Sequence, residues 1–432
     1  MISEPPDSFR SFRPDEDVIV VGAGVGGLTL ALALHARGIG CRVYEQAAEI
    51  APLGVGINVL PHATAELERL GLLPALEACA VTTKEAGFFN RFGQHVYSEP
   101  VGRYAGHAAP QLSIHRGDLQ GVLLAEVRAR LGADRVIAGH ACIDAEDVVT
   151  GVRLRFRDPS GAALPEVRGS VAVGCDGIHS ALRRQLHPRE GPPRYSGVNM
   201  WRGVTPHAPF LSGATMVRAG WLSVGKMVIY PIRNDIDSAG NQLVNWVAEL
   251  ESPEPVRRDW ATQGRLDDFF PAFADWHFDW LDVAALIADT KQVLAYPMVD
   301  QDPLPRWSFG RITLLGDAAH PMVPRGSNGA GQAILDARCL ADRIAEQGPS
   351  AAALTAYDAE RNAATAKVVL MNRSAPPDAI LRVVHERSGD QPFARIDDLV
   401  SHAEMAAITS AYKQVAGVTA PSMPAPNLSL RP

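Results

Sequence analysis

Residues 18–45 read VIVVGAGVGGLTLALALHARGIGCRVYE. Val18 to Val21 form an unbroken β-branched run, the pattern of a strand buried on both faces. Gly22, Gly24 and Gly27 follow at once as GxGxxG, and the apolar stretch Leu28 to Arg37 is predicted to be a helix stopped by Gly38. A second apolar strand, Cys41 to Tyr44, closes on Glu45 at the roughly 20-residue spacing at which an acid meets a ribose hydroxyl. Glycines at these positions allow a tight turn, a close pyrophosphate and close helix packing, while the helix start favours the phosphate charge. The order of strand, glycines, helix, strand and acid predicts a parallel α/β dinucleotide-binding unit. Glu45 disfavours a 2'-phosphate, but the motif alone does not separate FAD from NAD.

Two further stretches share the grammar of an apolar strand ending on an acid. VAVGCDGIHSALR (171–183) runs into Asp176-Gly177, and RITLLGDAAHPMVPRGSNGAGQAILD (311–336) runs into Gly316-Asp317. An acid at the carboxyl end of a strand in an open α/β sheet sits where ligands bind, and it can accept hydrogen bonds from ribose or ribityl hydroxyls. After Asp317 come Pro324, Gly326, Gly329 and Gly331, a bare backbone able to approach a flat ligand, then a helix predicted over Ala330 to Glu346. His320 is expected to be hydrogen-bonded to backbone at the strand end rather than to be catalytic.

At 432 residues the chain suits two packed domains, and its net charge of -7 argues against nucleic acid or an anionic membrane as partner. Cys41, Cys79, Cys142, Cys175 and Cys339 are scattered without a CxxC pair, so neither a disulfide framework nor a metal site is expected and a reducing, cytoplasmic location fits. The uncharged stretch Val18 to Leu34 carries four glycines behind Asp15-Glu16-Asp17, which reads as strand and helix rather than a membrane span.

GxGxxG, DGxxSxxR (176–183) and the Gly316-Asp317 segment, in this order across residues 18 to 336, resemble the single-component FAD-dependent aromatic hydroxylases of the para-hydroxybenzoate hydroxylase type. Within that family PLGVGIN (52–58), SIHRGDLQ (113–120), MWRGVT (200–205), YPMVDQDPLP (296–305) and SNGAGQAILD (327–336) are similar to phenazine hydroxylases. The resemblance implies a Rossmann-type FAD-binding domain (1–78, 113–190 and 301–375) interleaved with an antiparallel β-sheet substrate domain (79–112 and 191–300), plus a C-terminal helical extension (376–432). It implies FAD as cofactor, NAD(P)H as transient co-substrate, O2 and a small aromatic substrate as partners, and a monomer or homodimer. The implied reaction is hydroxylation through a flavin C4a-hydroperoxide, decarboxylative where the ring carbon bears a carboxylate, with no protein nucleophile and no assigned catalytic residue. Gly22, Gly24, Gly27 and Glu45 would hold the ADP half, Arg116 the pyrophosphate or ribose region, and Asp176 and Asp317 the region toward the ribityl chain. Pro324, Gly329 and Ala330 would follow the flavin ring, with Gly54 on its other side. Gly331 departs from a frequent Asn, and Arg325 from a small or apolar residue.

Between Tyr195 and Glu251 the pattern alternates, as in antiparallel strands with one polar face. In the family such a sheet roofs the substrate, so Trp201 and Tyr230, and after them Trp246, are candidate pocket walls; the alternative for each is the core of the sheet itself. Arg325, following Pro324, would reach a substrate carboxylate or phenolate, with a solvated side chain as the alternative. The rivals are a flavin oxidase, reductase or halogenase, and an FAD-binding protein without turnover. At the tail, Ser401-His402-Ala403-Glu404 is a capping box, and Met405, Ile408, Tyr412 and Val415 mark the stripe by which a last helix, ended by Gly417, packs on its own chain, with a dimer contact as the alternative.

Overall fold

The structure, a computed structural model, describes residues 17–51, 54–256 and 264–417. Its organising element is a parallel sheet of five strands in the order Ile312–Leu314, Val171–Gly174, Val18–Val21, Cys41–Tyr44, Val136–Ile137. All four residues of Val18–Val21 are buried, as the β-branched run requires of a central strand. Helix Val25–His35 packs against helices Arg116–Leu131 and Gly329–Gln347 on one face of this sheet. A small antiparallel sheet, Ala141–Val148, Gly151–Arg157 and Val167–Gly169, flanks it, and Phe156 stacks on Tyr44 with ring centroids 4.8 Å apart.

The second layer is a seven-stranded sheet in the order Leu294–Asp300, Arg194–His207, Gln242–Glu251, Gly225–Arg233, Thr215–Trp221, Glu85–Phe89, His95–Pro100. Its strands come from segments before and after the parallel strand Val171–Gly174, so the two domains interleave along the chain. One face is sealed by an aromatic core containing Phe269, Phe273, Trp276 and Phe278. The other face turns toward the nucleotide unit and is fastened to it at Gly56, whose N donates to Asn245 Oδ1 at 2.7 Å and whose carbonyl accepts from Tyr230 Oη and Arg202 Nη2 at 2.9 and 2.6 Å, and by an ion pair from Arg233 to Asp118. Three C-terminal helices, Ala351–Ser374, Ala379–Ser388 and His402–Ala416, close the molecule. Among the described residues no helix is long and apolar enough to cross a membrane.

Candidate active site

The three glycines of the first turn are glycines for three different reasons. Gly22 has φ +108°, and a Cβ there would overlap the Cys175 carbonyl; a Cβ on Gly27 would overlap the Gly22 carbonyl; a Cβ on Gly24 would meet nothing within 4 Å. Gly22 and Gly27 therefore shape the turn and seat the helix, and Gly24 borders open space at an N-cap without a side-chain hydrogen bond. Glu45 braces the turn, Oε2 accepting from Ala23 N and Oε1 from Ala47 N, both at 2.8 Å, with lone pairs remaining on each oxygen. Gln120 Nε2 donates to Ala23 O at 2.8 Å, bringing the helix that starts with Arg116 to the same turn. Gly54, with φ +114°, lies against the Arg116 side chain, its missing Cβ 3.5 Å from Cδ.

Asp176 and Asp317 sit at the carboxyl ends of neighbouring parallel strands, which pair Gly174 with Leu314. Asp176 Oδ2 accepts from Ala181 N at 2.8 Å, whereas Oδ1 is buried with no hydrogen-bond partner. Burial pushes this carboxyl up, against hydrogen bonds from Ser180 and the backbone. Asp317 is exposed, with Oδ1 3.8 Å from where a Cβ on Gly329 would stand. Helix Gly329–Gln347 begins there with no side-chain cap, so its first N–H groups are unclaimed. The structure thus gathers Gly22, Asp176, Asp317 and Gly329 around one trough. An open Gly24, two uncapped helix starts and an orphaned buried carboxylate oxygen fit FAD lying along it.

Two residues that the sequence left ordinary hold this trough in shape. Arg183 is buried and donates from Nη1 to Ala318 O and Ala319 O at 2.9 and 2.8 Å, while Nε reaches Glu190 at 2.7 Å. His320 is not bonded to backbone as expected. Its Nε2 meets Asp336 Oδ2 at 2.5 Å, and Asp336 also accepts from Arg361 Nε at 2.7 Å and Gly316 N at 3.2 Å. At Gly331 the missing side chain is explained by His62, whose Nε2 would lie 3.1 Å from a Cβ there. The ring nitrogens of His62 are buried, and desolvation with the charge of Arg361 outweighs the neighbouring Asn328 side chain and lowers its pKa to about 4.

On the substrate side strand alternation decides which residues face the trough. Trp201 lies on the far face, stacked on Phe269 at 5.0 Å and 14°, and Trp246 shares that core. The structure thus places Trp201, expected as a pocket wall, away from the cofactor, because its neighbour Arg202 takes the inner face. Tyr230 is on the inner face, its hydroxyl committed to Gly56. Arg202, Val247, Val228 and Arg218 stand opposite one another across four strands, and Arg202 and Val228, like Met200 and Tyr296, are only half-buried. Buried Lys226 is neutralised by Glu249, at 2.9 Å, and by Asp378. Burial raises the Asp378 pKa, but Lys226, Arg218 and Arg325 pull it below the usual range. Arg218 is only 7% exposed and lies 5.5 Å over the Phe88 ring, with no hydrogen bond or ion pair among the described residues. Arg325 Nε is likewise buried without a partner, beside a cavity of about 450 Å³ lined also by Trp221, Leu222 and Arg373.

Residues 15–372 match the FAD binding domain family. A phenazine 1,6-dicarboxylic acid hydroxylase, PhzS of Lysobacter antibioticus, is 42% identical over 404 residues, covering 92% of this chain and 97% of its own. The chain belongs to the FAD-dependent aromatic hydroxylases. A 6-hydroxynicotinate 3-monooxygenase of Bordetella bronchiseptica is 32% identical over 391 residues, 86% of this hydroxylase and 91% of that protein. Among solved structures, Klebsiella pneumoniae HpxO complexed with FAD and uric acid shares the fold at a TM-score of 0.70, with 24% identity and 94% of both chains covered. The hydroxylase is thus an FAD-dependent monooxygenase acting on aromatic or heteroaromatic rings.

Proposed function

We propose that this monooxygenase hydroxylates an anionic, fused N-heteroaromatic carboxylate, replacing the carboxylate by a hydroxyl. The observation that carries the reading is Arg218: only 7% exposed on the inner face and hydrogen-bonded to no described acceptor, it has guanidinium donors that a substrate carboxylate would engage. Arg325, with an unpartnered Nε beside the large cavity, supplies a second cation on the loop next to the flavin. Two cations suit a dicarboxylate such as the phenazine dicarboxylic acid for which PhzS is named. Balanced, the reaction consumes the aryl carboxylate, O2, NAD(P)H and two protons, and releases the phenol, CO2, NAD(P)+ and water.

FAD would be held by Gly22, Gly24, Gly27 and Glu45 at its ADP end, by Arg116 and Gly54 beside the turn, by Asp176 and Asp317 midway, and by Pro324, Gly329 and Ala330 along the ring. Bound and reduced by NAD(P)H, it supplies the activation of dioxygen and the inserted oxygen atom. The protein's part is to place the ring and keep water out. Arg218 and Arg325 orient the carboxylates, and Met200, Val228 and Val247 give the ring an apolar bed. Tyr230 is a poor base: its hydroxyl already donates to Gly56, and burial raises its pKa. The test is NAD(P)H oxidation by the purified holoenzyme with phenazine mono- and dicarboxylates and their methyl esters, with products weighed by mass spectrometry. Stimulation by the acids alone, with loss of CO2 and gain of one oxygen, is expected. Equal coupling with the esters, or products that keep the carboxylate, overturns the reading.

A further inference from the structure

Asn328 stands at the N-cap of helix Gly329–Gln347, where an Asn side chain ordinarily accepts a hydrogen bond from the N–H of the second or third helical residue. Here its backbone is helical, φ −109° and ψ −15°, rather than extended, and the side chain makes no such bond. Its Oδ1 accepts from Gln332 Nε2 at 3.3 Å, and its Nδ2 donates to Tyr412 Oη at 3.3 Å. Gln332 is held in turn by Arg361 Nη2, at 2.6 Å from its Oε1. Tyr412 arrives from the last helix, His402–Ala416, 4% exposed, and donates to Asn372 Oδ1 at 2.7 Å. Asn372 Nδ2 donates to Val323 O at 3.1 Å, so the Tyr412–Asn372 pair ties both ends of the loop that carries Pro324 and Arg325. Gly326 is left no room for a side chain, because a Cβ there would overlap Tyr412 Oη.

We propose that Tyr412 is a positioning residue for the flavin: with Gln332 it holds the Asn328 side chain off the helix start and so leaves the Ala330 N–H, beside that of Gly329, free for the electron-accepting edge of the ring. Unclaimed amides at a helix start stabilise negative charge, and the reduced ring carries more of it than the oxidised ring. An Asn328 carboxamide capping the helix would take the Ala330 or Gly331 N–H and so compete with the ring for Ala330. The inference rests on the placement of the ring at this helix start given under the proposed function.

The measurement is the reduction potential of FAD in the holoenzyme, read by dye-equilibrated spectroscopic titration. Tyr412→Phe keeps the ring and its packing but removes the acceptor of Asn328 Nδ2, leaving the side chain held by Gln332 alone at 3.3 Å and able to turn to the helix start. Reduced flavin should then be bound about tenfold less tightly relative to oxidised flavin, ~30 mV toward more negative potential for a two-electron couple. Asn328→Ala cannot cap, so adding Tyr412→Phe to it should move the potential no further. Asn328→Asp sets a carboxylate at the same place and should lower the potential wherever Tyr412 points. If Asn328→Asp shifts the potential and Tyr412→Phe does not, the role of Tyr412 is refuted and the ring placement stands. An equal Tyr412→Phe shift in the Asn328→Ala background also refutes the capping route. No shift in any variant overturns the ring placement and the inference together.

Discussion

His320 Nε2 lies 2.5 Å from Asp336 Oδ2, with the two side chains 2% and 0% exposed. The same carboxylate holds Arg361 and the Gly316 amide, so it joins helix Gly329–Gln347 to the turn that presents Asp317. Burial alone would raise the Asp336 pKa, but His320 and Arg361 reverse the sign and hold it below the usual range. A depressed carboxyl stabilises the fold above its unfolded pKa and loses that contribution as pH falls through its folded value. Asp336→Asn should therefore cost about 3–5 kcal/mol at neutral pH, the penalty for breaking a buried pair. In urea melts at a series of pH values, the gap to the parent protein should narrow only below about pH 4, near the unfolded carboxyl pKa. A gap independent of pH down to the acid limit would contradict the assignment.

The glycine turn offers a clean separation of folding from cofactor binding. Gly24→Ala adds a methyl to open space and should leave the melting of the apoprotein unchanged while weakening FAD by about tenfold or more, ~1.4 kcal/mol. Gly27→Ala drives a methyl into the Gly22 carbonyl and should lower both. Apoprotein melting curves and FAD titrations distinguish the two, and equal loss of melting temperature in both variants would sink the distinction.

How far the sequence spoke depends on the range of each interaction. Val18–Val21 and Cys41–Tyr44 were legible because central parallel strands are buried on both faces and read as unbroken apolar runs, and Glu45 because its spacing is set by one helix. The last helix was legible from its ends: Ser401 Oγ accepts from Glu404 N at 3.3 Å, and Gly417 has φ +73°. The capping box is only half made, since Glu404 pairs with Arg387 rather than turning back. Its buried stripe is Met405, Thr409, Tyr412 and Ala416, with Ile408 and Val415 at the margin. What could not be read was facing. Both faces of the large sheet meet other parts of the chain, so the alternation of Trp201 and Arg202 does not say which face turns to the nucleotide unit. Asp336 and the carbonyls of Ala318 and Ala319, which hold His320 and Arg183, come from other elements, and no local pattern encodes them.

Trp201 tests that facing directly. Trp201→Ala should destabilise by about 3–5 kcal/mol, the cost of emptying a large aromatic site in a core. At a temperature where the variant remains folded, the substrate KM should stay within about twofold of the parent, since the lost ring lies on the opposite face; twofold is only ~0.4 kcal/mol. A large rise in KM with unchanged stability would return Trp201 to the pocket.

Arg218 gives the opposite signature. Arg218→Met keeps much of the volume and breaks no hydrogen bond among the described residues; the charge it withdraws from Asp378 leaves Lys226 in place there, so the melting temperature should change little. A charge-assisted hydrogen bond contributes about 1.5–3 kcal/mol, so the KM for an aromatic carboxylate should increase roughly 10- to 100-fold. An ester of the same ring, which has no charge to place, should bind both proteins alike. Arg218→Lys should recover only part of the loss, because an ammonium cannot reproduce the bidentate fork of the guanidinium. The diagnostic quantity is thus the ratio of acid to ester KM: its collapse toward the ester value in Arg218→Met assigns the carboxylate to this guanidinium, and a ratio that does not move assigns it elsewhere.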